Sequence, residues 1–147
     1  MRAIGLDLGS KRIGVAVSDR SGTIASPLIV LMRSRSRHQD HRRIAELVAE
    51  EEAERVVVGL PRSLAGGLGP AAKAALSEIE VLATVVGVPV ETHDERLTTV
   101  TAERILGDRG LRGQARRQVV DKVAAAVILQ GWLDARRSDN EREDVHP

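Results

Sequence analysis

The chain contains no cysteine, phenylalanine or tyrosine, and Trp132 is its only aromatic residue. The absence of cysteine excludes disulfides, thiolate nucleophiles and zinc sites of the cysteine type. Any metal ion must therefore be held by carboxylates or by the four histidines. The scarcity of aromatic side chains disfavours stacking of splayed single-stranded bases. If nucleic acid is the partner, we expect recognition mainly of its backbone and shape.

Long apolar runs are also absent. No window approaches the roughly 20 apolar residues of a membrane span, and the N-terminus lacks the pattern of a signal peptide. We therefore expect a cytoplasmic protein with no membrane partner. The 147 residues, 42% hydrophobic and 29% charged, are typical of one globular domain with its own core. We assign that domain to residues 1–137 and predict that the polar segment 138–147 is disordered.

Positive charge is concentrated in two places, although the formal net charge is only +1. The first basic group comprises Arg33, Arg35, Arg37, Arg42 and Arg43, and the second comprises Arg109, Arg112, Arg116, Arg117 and Lys122. Groups of this kind can follow a phosphate backbone, and they are also common on solvated surfaces.

The hydrophobic pattern predicts an α/β fold with a mixed five-stranded sheet. The predicted elements are two strands within residues 1–19, a strand at 23–31, a helix at 40–53, a strand at 55–60, a helix at 70–86, a strand at 88–92, a helix after Thr98 or Thr99 and a last helix at 119–136. The loop at 108–118 is predicted to be mobile. Short turns make the first three strands an antiparallel meander, and right-handed crossovers place the last two strands parallel.

Asp7 is unusual because apolar residues surround it in the first strand. An ionised carboxylate there is costly unless a hydrogen-bonded partner or a metal ion compensates it. Gly9 and Gly14 remove side chains where a turn, another backbone or a phosphate comes close. The alternative is that Asp7 only caps the turn through its own backbone.

Further acids follow the last strand and lie on the last helix. The strands ending near Asp7 and Glu95 deliver carboxylates to one edge of the sheet. Asp121 is in line with the small residues of the last helix, although an acid near a helix N-terminus also fits the macrodipole. Converging carboxylates favour Mg²⁺ or Mn²⁺, and two ions would suit phosphodiester hydrolysis. The residues alone leave open whether Asp94 or Glu95 is the ligand, and whether His93 takes part or is structural.

Together these motifs resemble one family. The matching segments are GLDLGSKRIGVAVSD at 5–19, VVVGLP at 56–61, HDERLTT at 93–99 and VDKVAAAVILQGWLD at 120–134. They are similar to the YqgF/RuvX-like proteins, a family of pre-16S rRNA nucleases and Holliday junction resolvases. The resemblance implies an RNase H-like fold with helices on both faces of the sheet. It also implies a metal-dependent nuclease.

The resemblance assigns roles to individual residues. Asp7, Glu95 and Asp121 match the family's acidic positions, which favours Glu95 over Asp94 as catalytic and metal-binding residue. Lys11, Arg12 and Arg96 match its basic positions, and we add Arg112 and Arg116 from the second basic group as substrate-binding residues. One departure is the segment 63–67, Ser-Leu-Ala-Gly-Gly, where many members carry an Asn-Met-Asp-Gly-Thr-like loop.

Three functional hypotheses follow. The first is a nuclease acting on structured RNA at the 5′ end of pre-16S rRNA, or on branched DNA, where a symmetric junction cutter would be a homodimer. The second is a non-catalytic nucleic-acid-binding module of the same fold. The third is nucleotide binding, because residues 7–10 resemble the phosphate loop of actin-like ATPases and sugar kinases. Those proteins need a second lobe, for which 147 residues leave no room.

Overall fold

The computed structural model describes residues 1–61, 69–94 and 113–145, and within the last range it describes the side chains from 123 to 139. The strands in these ranges are β1 (Ala3–Leu8), β2 (Arg12–Ser18), β3 (Ala25–Met32), β4 (Arg55–Leu60) and β5 (Val90–Asp94). The helices are α1 (Arg37–Glu50), α2 (Pro70–Ala83) and α3 (Gly113–Val145). None of these helices combines the length and hydropathy needed to cross a bilayer.

The strands form one mixed sheet in the order β3-β2-β1-β4-β5. The short connections from β1 to β2 and from β2 to β3 produce antiparallel pairs. β4 pairs with β1 and β5 pairs with β4 in parallel, because α1 and α2 carry the chain back between them. The predicted sheet of three antiparallel and two parallel strands is confirmed, and it places β1 at the centre.

The alternation of side chains along β1 separates two hydrophobic cores. Ile4 and Leu6 are fully buried on one face, against Ile44 of α1 and Leu82 of α2. Ala3 lies on the opposite face, where the packing residues of α3 cover the sheet. These α3 residues are Ala125, Ile128, Leu129, Trp132 and Leu133. Helices therefore cover both faces, as the resemblance implied.

The connection between β2 and β3 is a tight turn held by Asp19. The Oδ1 atom of Asp19 accepts hydrogen bonds from the backbone N–H groups of Thr23 at 2.8 Å and Ile24 at 3.2 Å, and Oδ2 accepts one from the Ser21 hydroxyl at 2.8 Å. These bonds, led by the one from Thr23, lower the pKa of Asp19 to about 2. Gly22 adopts a φ of 70°, which glycine tolerates without strain. The short turn expected between the second and third strands is therefore confirmed.

Several predicted boundaries are wrong, and α3 differs most. It begins at Gly113 and ends at Val145, whereas the sequence predicted a loop up to Gln118 and a helix only from 119 to 136. Residues 114–118 are Gln, Ala, Arg, Arg and Gln, which are good helix formers despite the neighbouring glycines. No glycine or proline interrupts residues 132–145, so the helix includes most of the segment predicted to be disordered.

The other differences are small. α1 begins at Arg37 because the Ser36 side chain caps it, accepting a hydrogen bond from the Gln39 N–H at 3.2 Å. β3 and β5 are displaced towards the C-terminus by two residues at their starts, and α2 ends at Ala83. The helix predicted after Thr98 or Thr99 and the divergent segment 63–67 lie outside the described residues.

Candidate active site at the carboxyl ends of the parallel strands

Asp7 lies near the carboxyl end of β1 with a glycine as its neighbour on each side. Its antiparallel partner in β2 is Gly14. The parallel register that pairs Leu6 with Val58 brings Asp7 beside Gly59 of β4. Because neither neighbour has a side chain, the space next to the carboxylate stays open within the sheet surface. This setting fits a group that must approach Asp7 closely, such as an ion or a phosphate.

His93 lies at the same level of the sheet, two strands away. Gly59 pairs with His93, so the order across three strands is Asp7, Gly59, His93. His93 packs against α3, where a Cβ added at Gly131 would lie 2.8 Å from the imidazole Nε2. Burial lowers the pKa of His93, and the negative charge of Asp94 acts in the opposite direction. The structure thus brings a histidine to the face of the sheet that carries Asp7.

Asp94 lies on the other face. Strand side chains alternate, so Asp94 and His93 point to opposite sides of β5. The sequence left open whether Asp94 joins the acidic site. Its place in the strand separates it from the face on which Asp7 and His93 lie.

Helix α3 crosses β1 at very short range and runs antiparallel to it. A Cβ added at Gly5 would lie 2.7 Å from Leu129 Cβ and 2.9 Å from the Ala125 carbonyl oxygen. Further along the helix, Leu133 approaches the turn at Gly22, beyond the other end of β1. Position 121, one helical turn before Ala125, is therefore displaced towards the end of β1 that carries Asp7.

Several predicted site residues lie outside the described parts of the structure. These are Glu95, Arg96 and Arg112, together with the side chains of Arg116 and Asp121. Among the described residues, no group of three or more histidines, aspartates and glutamates is arranged to hold a metal ion. Asp7 is the predicted ligand that the structure does describe. Its oxygen donors and its open surroundings suit a hard divalent cation.

The predicted basic residues of the first turn are both described. Lys11 is exposed in the β1–β2 turn, and its carbonyl oxygen accepts a hydrogen bond from the Arg33 N–H at 2.9 Å. Arg12 is half-buried at the start of β2, opposite Met32. The turn therefore presents one exposed cation close to Asp7 in the chain.

A cavity of about 510 Å³ opens beside Asp7. Its walls are the β1–β2 turn from Asp7 to Ser10, the segment after β3 with its three arginines Arg33, Arg35 and Arg37, and the first turns of α2. Gly59 and Pro61 at the end of β4 also line it. The cavity lies at the carboxyl ends of β1 and β4, where ligand sites of open α/β sheets occur.

A buried polar network that the sequence analysis missed forms the floor of this region. Arg33 binds Glu78 of α2 through two parallel hydrogen bonds of 2.8 and 2.9 Å, and His41 Nε2 lies 2.8 Å from Glu78 Oε2. Arg33 Nε also donates to the Gly9 carbonyl oxygen at 2.6 Å. The network therefore connects α1 and α2, which cover the Ile4 and Leu6 face of the sheet, to the turn that follows Asp7.

The charges of this network stabilise one another. Burial alone would raise the pKa of the Glu78 carboxyl, but the hydrogen bonds from Arg33 and His41 and the charges of Arg33 and Arg37 outweigh it, so the pKa lies below its ordinary value. A signal was present in the sequence, because Glu78 and His41 interrupt the apolar stripes of their helices. Polar residues on a buried stripe indicate a paired partner.

Comparison with known proteins identifies the family. A family model, RuvX, described as Holliday junction resolvase, matches residues 1–135. A protein of Mycobacterium sp. (strain KMS) named "Putative pre-16S rRNA nuclease" is 51% identical over 138 residues, covering 93% of this chain and 82% of that protein. A protein of the same name from Desulforudis audaxviator (strain MP104C) is 47% identical over 138 residues, covering 94% of this chain and 97% of that protein.

Comparison of structures supports the fold. RuvC of T. thermophilus, in a structure with a Holliday junction substrate, superposes with a TM-score of 0.59 at 23% sequence identity, covering 94% of this chain and 96% of that one. This likeness shows a shared RNase H-like fold. The mixed sheet with helices on both faces is thus confirmed as RNase H-like. On the extent of the sequence match, the chain belongs to the RuvX family.

Proposed function

We propose that this protein is a hydrolase that cuts phosphodiester bonds in structured nucleic acid, with the 5′ end of pre-16S rRNA as its substrate. The observation that carries the proposal is Asp7, a carboxylate between Gly14 and Gly59 at the end of the central strand of a RuvX-family fold. The names of the relatives support the RNA substrate. The nuclease is assigned to residues 1–137 as one domain, acting in the cytoplasm.

The proposed metal ligands are Asp7, Glu95 and Asp121, and the ions are Mg²⁺ or Mn²⁺, two per site. When bound, divalent ions activate water and stabilise the charge that develops in phosphodiester hydrolysis. Asp7 orients them through its carboxylate oxygens, in the space that the flanking glycines leave open. Lys11, Arg12, Arg96, Arg112 and Arg116 bind phosphates of the substrate and hold its backbone against the acidic site.

A second candidate substrate is the four-way DNA junction. The description of the family, Holliday junction resolvase, favours it. Symmetric cutting of a junction requires two active sites related by a twofold axis, so this alternative includes a homodimer. A binding module without catalysis is the remaining alternative, and it predicts affinity for these substrates without cleavage.

The first test is cleavage of two labelled substrates, a pre-16S rRNA 5′ leader and a four-way DNA junction, with Mg²⁺, Mn²⁺ or EDTA. We expect the intact protein to cut one of them in the presence of metal and to be inactive in EDTA. The variant Asp7→Asn removes one charge with little change of shape, so cleavage should fall to background while binding of the substrate stays measurable. Asp134→Asn, at an exposed site on α3, is the matched control and should cut normally.

The outcomes separate the alternatives. Cleavage that survives in Asp7→Asn would contradict the assigned site. Tight binding of either substrate by the intact protein, with no cutting under any metal, would support the binding module instead.

A further inference from the structure

The cavity beside Asp7 has a strongly asymmetric distribution of charge. Its described lining residues include three arginines and three acids, whose formal charges balance. Two of the acids are buried and engaged: Glu78 is 5% exposed and binds Arg33, and Asp40 is 3% exposed and accepts a hydrogen bond from the Ser34 N–H at 2.9 Å. A ligand entering the cavity therefore meets the arginines before these carboxylates.

The arginines differ in exposure and in the contacts that their side chains make within the protein. Arg33 is held by Glu78 and by the Gly9 carbonyl oxygen, with 15% of its side chain exposed. Arg37 is 57% exposed, and its Nε lies 3.9 Å from Glu78 Oε2, too far for a hydrogen bond. Arg35 is exposed at the rim. Arg35 and Arg37 thus keep guanidinium donors available to a ligand.

The remaining walls suit a small anionic group. Ser10 supplies a hydroxyl group, and α2 contributes Ala71 and Ala74, whose short side chains leave the cavity open. Its volume of about 510 Å³ lies within the range of pockets that hold small ligands, about 300–1,000 Å³. Guanidinium groups match phosphate oxygens in planar geometry.

We propose that this cavity binds a backbone phosphate of the nucleic acid close to the bond that is cut, with Arg35 and Arg37 as its contacts and Arg33 as a positioning residue. The inference rests on the proposed nuclease function, because it places the bound phosphate on the strand that reaches Asp7. It divides the first basic group into two parts. Arg35 and Arg37 bind substrate, whereas Arg42 and Arg43, exposed on α1 and outside the cavity lining, do not.

The test is a comparison of two charge-matched double variants, Arg35→Gln/Arg37→Gln and Arg42→Gln/Arg43→Gln. Binding of the labelled RNA leader and the DNA junction is measured in EDTA, where the metal-dependent reaction is stopped, from about 50 to 200 mM salt. At about 150 mM salt, exposed charges beyond roughly 8 Å are screened, so direct contacts dominate. Far-UV circular dichroism checks that both variants are folded.

We expect the cavity variant to bind about tenfold or more weakly than the intact protein. The slope of log binding constant against log salt concentration should become shallower by about one unit, as for the loss of one phosphate contact. The α1 variant should change affinity less than about twofold and keep its slope. Equal losses in the two variants, or no loss in the cavity variant, would overturn the inference. Failure of the intact protein to bind either probe would overturn it as well.

Phosphate ethylation interference locates the contact. Ethylation of one backbone phosphate should weaken binding by the intact protein and have no further effect on Arg35→Gln/Arg37→Gln, because the contact is already lost. The same interfering phosphates in both proteins would contradict the assignment. The proposed nuclease function is judged separately by cleavage in Mg²⁺ or Mn²⁺, so a protein that cuts but shows equal losses refutes only the cavity site.

Discussion

At the scale of single residues, Glu78 is a buried carboxylate with Arg33, His41 and Arg37 around it. One buried carboxylate accepts hydrogen bonds from Arg33 and His41, with Arg37 close by. Burying an ion pair such as Glu78 and Arg33 costs desolvation free energy. Removing one partner costs more, because the other charge is then buried without compensation. Arg33 also donates a hydrogen bond to the Gly9 carbonyl oxygen, so Glu78 helps to position the turn after Asp7 by fixing the Arg33 side chain.

We predict that Glu78→Gln lowers the free energy of unfolding by about 3 kcal/mol at neutral pH, since Arg33 then lacks its counter-charge in a largely buried site. Urea denaturation measures this difference. Glu80→Gln, an exposed glutamate two positions along the same helix, is the control and should change the midpoint little. Equal midpoints for the two variants would contradict the importance of the network.

The same contact predicts the direction of a pH dependence. The pKa of Glu78 is lowered in the folded protein, so its contribution to stability is present above the ordinary value of 4.5 and is lost as the pH falls through the folded value. The groups that face it are Arg33, Arg37 and His41. The difference in unfolding free energy between the intact protein and Glu78→Gln should therefore shrink below about pH 4.5. A difference that grows in acid would refute the assigned direction.

At the scale of elements, the crossing of α3 over β1 is the contact that positions the last helix. Gly5 allows the helix backbone at Ala125 to approach the strand more closely than any side chain would permit. Small residues at such a crossing let the two backbones come close together. They thereby set the distance between the sheet and the residues on that face of the helix. The position of residue 121 relative to Asp7 therefore depends on Gly5.

Gly5→Ala should destabilise the protein by about 1–3 kcal/mol and lower cleavage, because the added methyl group displaces α3 from the sheet. Thermal and urea unfolding measure the first effect, and cleavage under saturating Mg²⁺ the second. Gly69→Ala is the comparison, since no atom of the described residues lies within 4 Å of its added Cβ, and its cost should stay below about 1 kcal/mol. An equal cost at both glycines would argue against a tight helix crossing.

At the scale of the whole molecule, the proposed metal ligands come from separate parts of the chain. Asp7 belongs to β1, Glu95 follows β5, and position 121 is on α3. An ion bound by all three would join the sheet to the helix that covers one of its faces. Because such an ion binds the folded state and not the unfolded chain, its binding adds to the stability of the whole domain.

We therefore predict that Mg²⁺ at about ten times its Kd stabilises the intact protein by ~1.4 kcal/mol, which raises Tm by about 4 °C over the value in EDTA. Thermal unfolding monitored by circular dichroism gives this shift without an activity assay. Asp134→Asn should respond like the intact protein, and Asp7→Asn should respond weakly. A full shift in Asp7→Asn would show that the stabilising ion binds elsewhere.

Much of the fold was predictable because it depends on local patterns. The bounds of β4, the turn at Asp19 and the mixed sheet follow from runs of apolar residues, turn residues and connection lengths. The ends of α3 were not predictable, since polar residues with good helix propensity occur both in loops and in exposed helices. Asp7 was recognisable for the opposite reason, as a charge in a strand that is otherwise apolar.

The amino-acid sequence by itself thus determined the order of strands and helices along the chain and the identity of the acid in the first strand. Only the tertiary structure decided which distant residues meet. Register places Gly59 between Asp7 and His93, and packing joins Arg33, which follows β3, to His41 of α1 and Glu78 of α2. The physical reason is that hydrophobic periodicity specifies which face of an element is buried, whereas the partner of a buried polar group is set by how the elements dock.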